Sequence, residues 1–330
     1  MSESSPRISV VIPAYNCDRY IAEAIESVLD QTETSHEIIV VDDGSRDQTR
    51  EAVAPYRDRV RYVYQDNRGV SVARNHGLSL ARGEFITFLD ADDCFFRETL
   101  AAQMAVFEAD PGLAIVHSGW RRVNQAGEPL MDAKPWELVP ELNLEMWLRW
   151  KPLGTMGTLM FRREALEAAG GFEPGLAHAE DVDLILRLAL KGFRSAWLKR
   201  STVCYRQHDR NTMRDGVSQA KSINYVLEKF FNLPDIPFEI QAIEDWVRYS
   251  TLVWSSWYLY HTGFVVEMAE YLKRSWQYSP FLPVETAIDW VESFGHYSEG
   301  VGESLDVDAL CKSPEWQGLI EWAIASPKSS

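Results

Sequence analysis

The sequence predicts an α/β fold: a mostly parallel sheet flanked by helices, followed by a helical C-terminal domain. Three observations predict it. Short, nearly continuous apolar runs recur through the first two thirds of the chain, as strands buried on both faces do. Amphipathic stretches at helical spacing separate them, and the order strand, helix, strand, helix gives a parallel sheet. The composition then shifts near residue 217. Residues 1–216 hold 26 Lys/Arg and 33 Asp/Glu, whereas residues 217–330 hold 7 and 16, together with 7 of the 12 tryptophans. The expected division is therefore 1–216 and 217–330, in line with one or two domains for 330 residues.

The elements follow in order. Ile8 to Ile12, broken only by Ser9, reads as a buried strand that ends in the turn Pro13-Ala14-Tyr15-Asn16. Asp18 is placed to cap a helix whose apolar face is Ile21, Ile25, Val28 and Leu29. Glu37 to Val41 is the second strand, stopping at Asp42-Asp43-Gly44-Ser45, and Val60 to Tyr64 the third. Ser71 is expected to cap a helix through Ala81, with Gly83 near its end. Phe85 to Leu89 is the fourth strand, stopping at Asp90-Ala91-Asp92-Asp93, and Leu159-Met160-Phe161 is strand-like. Gly170-Gly171-Phe172 breaks the chain before a helix that opens at Glu180. In the second part, Ile223, Val226, Leu227 and Phe230 share one helical face, and Trp246, Tyr249, Val253, Trp257 and Tyr260 another. That aromatic stripe reads first as packed core, with sugar stacking or an interface as the alternatives.

Composition excludes several functions. The 33 basic and 49 acidic residues leave a net charge of −16, which argues against a phosphate-tracking nucleic-acid binder and against docking on anionic lipid. Four separated cysteines with no C-x-x-C spacing do not suggest a zinc ribbon or redox dithiol. No basic segment precedes an apolar one at the N-terminus, and Leu252 to Val266 falls short of the about 20 residues that cross a bilayer. The expected setting is the cytoplasm, with peripheral attachment at the inner face of the plasma membrane as a further expectation.

Each strand stops where a polar cluster begins, and in open α/β sheets ligands bind outside the carboxyl ends of the strands. Asp90, Asp92 and Asp93 repel one another unless a cation or hydrogen-bond donors sit among them; Mg²⁺ or Mn²⁺ suits such oxygen ligands, and a solvated acidic turn is the plainer alternative. Asp42 and Asp43 suit a carboxylate that accepts from a base or ribose, or an ordinary strand–helix turn. Asn67 to Asn75 opens a helix with a glycine and two arginines, which favours phosphate. Glu180 and Asp181 at a helix start suit a general base and its neighbour, or simply the helix dipole. A lone His208 is more often structural than a ligand.

Taken together, Ile8 to Asn16, Val41 to Ser45, Ala73-Arg74-Asn75-His76-Gly77-Leu78, Asp90 to Asp93, Gly170-Gly171-Phe172, the Glu180-Asp181-x-Asp183-Leu184-x-x-Arg187-Leu188 helix and Tyr205-Arg206-x-His208 resemble a family 2 glycosyltransferase of GT-A fold. Seven pieces in order cover roughly residues 7–212. The resemblance implies transfer of a sugar from a nucleotide-diphospho-sugar, with UDP foremost among the donor nucleotides, to a saccharide, a lipid-linked saccharide or another hydroxyl acceptor, with inversion at the anomeric carbon, in cell-surface glycan or polysaccharide assembly. It implies that Pro13 and Tyr15 border the nucleobase, that Asp43 binds it and Asp42 supports that turn, and that Arg74 lies near the nucleotide. Asp90 would reach ribose or metal, Asp92 would ligate Mn²⁺ or Mg²⁺, His208 would close over metal and diphosphate, and Asp181 would be the base with Glu180 beside it. Processive members carry Q-x-x-R-W before membrane helices; Met146-Trp147-Leu148-Arg149-Trp150 lacks the Gln, so non-processive transfer is expected. Gly154 to Thr158 corresponds to a region that shapes the acceptor side. A nucleotidyltransferase would need a Gly-rich basic loop where Pro13 to Asn16 stands, and a non-catalytic binding module would not need Asp90, Asp92 and Asp181. The acidic second domain is expected to select the acceptor or mediate self-association.

Overall fold

Wholly buried from end to end, β1 (Ile8–Ala14) anchors the sheet, because its apolar side chains face helices on both sides. The structure, a computed structural model, describes residues 5–151, 153–209 and 215–326. It divides into two units, Met1–Asp209 and Arg210–Ser330.

In the first unit, α1 (Ile21–Leu29), β2 (His36–Asp43), α2 (Thr49–Val53), β3 (Arg61–Gln65), α3 (Val70–Leu80), β4 (Phe85–Phe88), β5 (Cys94–Phe95), α4 (Thr99–Ala109) and β6 (Leu113–Val123) follow β1. Then come β7 (Pro129–Ala133), α5 (Leu144–Trp150), β8 (Leu159–Arg162), α6 (Arg163–Ala169), α7 (Glu180–Leu190) and β9 (Arg194–Arg206). The strand order is β3-β2-β1-β4-β8-β6-β9-β5, with β7 paired to β6. β3, β2, β1 and β4 are mutually parallel, β8 runs antiparallel to β4 and β6, and β9 returns parallel to β6. The register sets Ala14 beside Asp42, so the polar turns after β1 and β2 emerge together.

The local reasons for these elements differ from the sequence reading in three places. Ser71 does not cap α3. Its hydroxyl is buried without a hydrogen-bond partner, and the Asp43 carboxylate takes the amides of Arg68 and Gly69 just ahead of the helix. Asp18 does not cap α1 either; the Tyr20 and Ile21 amides bond the Cys17 carbonyl. Gly83 serves close packing rather than a helix end, since a Cβ there would lie 2.6 Å from the Ser9 backbone nitrogen.

Among its described residues the regular elements of the second unit are helices: α8 (Gly216–Phe231), α9 (Phe238–Gln241), α10 (Glu244–His261), α11 (Val265–Ser275), α12 (Pro283–Gly300), α13 (Val307–Lys312) and α14 (Pro314–Ala325). The aromatic stripe on α10 is core: Tyr249, Val253 and Trp257 are buried in one cluster with Trp290, Phe294 and Trp316, while Trp246 stays partly exposed. Buried aromatic rings need partners for their polar tips. Tyr249 donates to Asp289 at 2.6 Å, Trp257 to Ser298 at 3.0 Å and Trp290 to Ser275 at 3.1 Å. Among the described residues no helix is long and apolar enough to cross a membrane.

Candidate active site

At the carboxyl ends of β1 and β2 two turns latch together. The Asn16 amide donates to Ser45 Oγ at 3.0 Å, and the Arg46 amide to Asn16 Oδ1 at 2.8 Å. Asn16 adopts a left-handed φ of 51°, which an Asn tolerates better than most residues. Asp42 holds its own turn, accepting from the Ser45 amide at 2.8 Å and the Tyr62 hydroxyl at 2.5 Å. Asp43 accepts from Gln65 Nε2 at 2.7 Å and from the Arg68 and Gly69 amides at 2.9 and 2.8 Å. Gly44 is required here: its φ is +80°, and a Cβ would lie 2.7 Å from the Asn67 nitrogen. Pro13 lies within β1, and Tyr15 follows it with half its surface exposed.

Arg74, on α3, reaches across the top of the sheet. Its Nη1 donates to Glu180 Oε1 at 2.6 Å and its Nη2 to Asp90 Oδ1 at 2.7 Å. Its guanidinium lies over the Phe172 ring at 5.4 Å, and the side chain is 4 % exposed. The two carboxylates hold it charged despite burial. Arg74 is therefore a strut between the start of α7 and the turn after β4, with both terminal nitrogens committed to carboxylates.

A second clasp fixes α7. The Asn75 side chain pairs in both directions with the Phe172 backbone, donating to its carbonyl at 2.8 Å and accepting from its amide at 2.8 Å. Gly171 permits this approach, with a φ of +71° and room for no Cβ, which would come 2.4 Å from Asn75 Oδ1. On α7 itself Asp183 accepts from Arg187 Nε at 2.8 Å, and the Arg187 guanidinium bonds the carbonyls of Ala169 and Gly171. Ala179, with a left-handed φ of 60°, turns the chain into the helix, so Glu180 and Asp181 occupy its first turn. Asp181 is partly buried. Desolvation first, and the charge of Glu180 second, push its carboxyl up to about 7, while the Val182 amide and Arg74 oppose them.

The turn after β4 sorts its three carboxylates. Asp93 is fully buried, accepting from the Arg206 amide at 3.0 Å and meeting the Thr155 hydroxyl at 2.8 Å. Burial, then the charges of Asp92 and Asp90, raise it well above the carboxylate range. Asp90 divides its oxygens between Arg74 and Thr155. Asp92 lies 2.9 Å from His208 Nε2, and the His208 ring stacks on Tyr20 at 5.0 Å. Arg206 secures this corner: it bonds the Asp92 carbonyl and Glu23 and lies over the Tyr20 ring at 5.1 Å.

Three of the ten sequence-derived site residues, Arg74, Asp90 and Glu180, are thus in direct contact, and Asp92 with His208 forms a second pair. Asp181 adjoins Glu180, and Pro13, Tyr15, Asp42 and Asp43 occupy the neighbouring turns. Among the described residues, no three His, Cys, Asp or Glu side chains are gathered as a ready-made metal centre. Sequence reasoning missed the positioning residues Tyr20, Glu23, Asn75, Thr155 and Arg187. The only signal for Asn75, Thr155 and Arg187 was their place inside the quoted segments, and Tyr20 and Glu23 had none.

The family model for glycosyl transferase family 2 matches residues 9–170. An uncharacterized glycosyltransferase of Rickettsia typhi is 31% identical over 221 residues, covering 65% of this chain and 68% of that protein. The chondroitin synthase of Escherichia coli is 30% identical over 63% of this chain, which spans only 30% of that larger protein. Among solved structures, S. aureus TarS 1-349 in complex with UDP-GlcNAc superposes with a TM-score of 0.63 at 19% identity, covering 97% of this chain and 92% of that one. The mannosyltransferase PcManGT from Pyrobaculum calidifontis, in complex with GDP-Man and Mn²⁺, gives 0.61 at 20% identity, covering 98% and 86%. At such identity these two establish the GT-A-like fold alone. With the family model and the Rickettsia relative on top of that fold, the chain belongs to glycosyl transferase family 2 and is a glycosyltransferase.

Proposed function

We propose that this protein transfers one sugar at a time from a nucleotide-diphospho-sugar to a hydroxyl of an acceptor glycan, with inversion, using a divalent cation. The observation that carries this reading is the Arg74 strut, which ties the helix start bearing Asp181 to the Asp90 turn through contacts of 2.6 and 2.7 Å. A base and a diphosphate-binding turn must lie within one sugar of each other, and one guanidinium spans them. The nucleotide-sugar ligands of TarS and PcManGT support a nucleotide-sugar donor here.

In this reading Asp181 takes the proton of the acceptor hydroxyl. A carboxylate raised to about 7 is matched to that task near neutral pH. The acceptor oxygen forms its bond to the anomeric carbon as the bond to the diphosphate breaks on the opposite face, so one displacement inverts the configuration and no sugar–enzyme bond forms. Pro13, Tyr15 and Asp43 border the nucleobase, and Asp42 stiffens their turn.

The donor set fits Mn²⁺ or Mg²⁺. Asp92 and His208 would offer oxygen and nitrogen ligands, with Asp90 in the same turn, and such cations complete their shell with substrate phosphates and water. When bound, the ion would neutralise charge on the departing diphosphate as a Lewis acid.

Asp181→Asn tests the reading. It should keep nucleotide-sugar affinity, read as a thermal shift with Mn²⁺, and lower turnover by ~10²–10⁴-fold, the usual contribution of a general base. Turnover within a few-fold of the parent would place the base elsewhere.

A further inference from the structure

We propose that Gln65, oriented by His76, sets which nucleobase the donor carries. By occupying one oxygen of Asp43 it leaves that carboxylate a single place for a base N–H, which suits uracil or thymine and rejects guanine. The inference deepens the glycosyltransferase reading and rests on its placement of the base at Asp43. Three elements supply the parts: Asp43 ends β2, Gln65 ends β3 and His76 lies on α3. The parallel register of β2 and β3 pairs Asp43 directly with Gln65, so the sheet itself imposes the contact.

Donor and acceptor roles along this chain follow from the atoms. A carboxylate oxygen accepts and an amide nitrogen donates, so Gln65 turns its Nε2 to Asp43 Oδ1 at 2.7 Å. Its Oε1 then faces His76 Nδ1, also at 2.7 Å. An amide oxygen has no hydrogen to give, so His76 carries one on Nδ1 and donates it. His76 thereby holds the Gln65 amide in the one orientation that can bond Asp43.

The acceptor positions of Asp43 are nearly used up. A carboxylate offers about four, two on each oxygen. Oδ1 takes Gln65 and the Arg68 amide, the latter at 2.9 Å, and is full. Oδ2 takes the Gly69 amide at 2.8 Å, and among the described residues Asp43 makes no other hydrogen bond, so one position remains. Nucleobases differ in what they bring to it. Uracil and thymine present one ring N–H between two carbonyls. Guanine presents two adjacent donors, its ring N–H and its amino group, and pairs well with a carboxylate only when both oxygens are open. Asp43 is 4 % exposed, so a second donor brought up to it gives up water and finds no acceptor. Unmatched polar groups of this kind give a binding site its sharpest discrimination.

The test is calorimetric titration of the full chain, with Mn²⁺, in two matched pairs: UDP against GDP, and dTDP against dGDP. Each pair shares its sugar, diphosphate and metal, so the ratio of Kd values isolates the base. In at least one pair the guanine nucleotide should bind at least about tenfold more weakly. Gln65→Leu frees a position on Oδ1 and should narrow that ratio at least threefold. His76→Leu, which releases the amide, should narrow it in the same direction, and His76→Asn, which keeps an N–H donor, should restore it. Ligand-free melting curves show which variants fold, and the His76 pair carries the test if Gln65→Leu does not. Guanine nucleotides bound as tightly as their partners, or a ratio that stays fixed while all affinities fall together, would overturn the proposal; the second is what a merely structural Gln65 gives. Failure of the glycosyltransferase reading would look different: no nucleotide would bind at all, and the proposal would fall with it.

Discussion

Removing Glu180 should make the enzyme more tolerant of acid. Asp181 is raised to about 7 by burial first, then by the negative charges of Glu180 and, more weakly, Asp90, against the opposing pull of the Val182 amide and Arg74. Glu180→Gln removes the second cause and leaves Arg74 Nη1 a neutral amide oxygen in place of a carboxylate, while burial, the larger cause, remains. The acidic limb of the rate profile therefore moves toward lower pH without reaching the ordinary carboxylate value. With a base near 7, about one tenth of the protein is active at pH 6, and each unit the limb moves changes that fraction by close to tenfold well below the midpoint. The assay is release of nucleoside diphosphate at saturating donor and Mn²⁺ between pH 5 and 9, for parent, Glu180→Gln and Asp181→Asn. Rate at pH 6 relative to the plateau should rise in Glu180→Gln, even where the plateau falls because the strut loses its ion pair. A limb that stays in place or moves toward alkali would refute the assignment of Asp181 as base and of Glu180 as the charge that tunes it.

Asp181→Asn should also stabilise the ligand-free protein at pH 8 but not at pH 4. Between about 4 and about 7 the folded state holds a proton the unfolded state lacks, so stability falls as pH rises through that window, and the amide has no such slope; melting curves at the two pH values decide. Asp92→Ala should remove the Mn²⁺-dependent part of the thermal shift given by a nucleotide-sugar, and a retained metal response would contradict its role as ligand. Gly171→Ala should cost about 1–3 kcal/mol by overpacking against Asn75, with added strain from its positive φ, measured by urea unfolding; an effect under 0.5 kcal/mol would mean that the clasp gives way easily.

The parallel half of the sheet was legible because β1, β2 and β4 are nearly continuous apolar runs, a pattern that burial on both faces imposes. β6 and β9 were not. β6 carries His117, Ser118 and Gly119 through its buried centre, and β9 interrupts its pattern with Lys199, Arg200 and Ser201. The edge is also uneven: their register shifts between Ser118 and Trp120, so no simple alternation survives. The site residues were legible as types at strand ends, but their partners were not. That Asp43 would hold the entry to α3, and Arg74 the start of α7, depends on which turns meet in space. Spacing along the chain carries no trace of a contact such as Arg74 to Glu180, 106 residues away.

Those separations also set the order of events when the chain is made. Asn75 waits 97 residues for Phe172, Asp92 waits 116 for His208, and Glu23 waits 183 for Arg206. On a ribosome adding about 5–20 residues per second, the turn after β4 emerges many seconds before the residues that close it. During that interval its acidic cluster is exposed and its buried aspartate is still in water. Contacts this distant in sequence form late, because loop-closure entropy must be met first. The candidate site's corner around Asp92, Arg206 and His208 is thus the last part of the first unit to be completed, and a nascent chain released before residue 208 would hold most of the sheet with that corner still open.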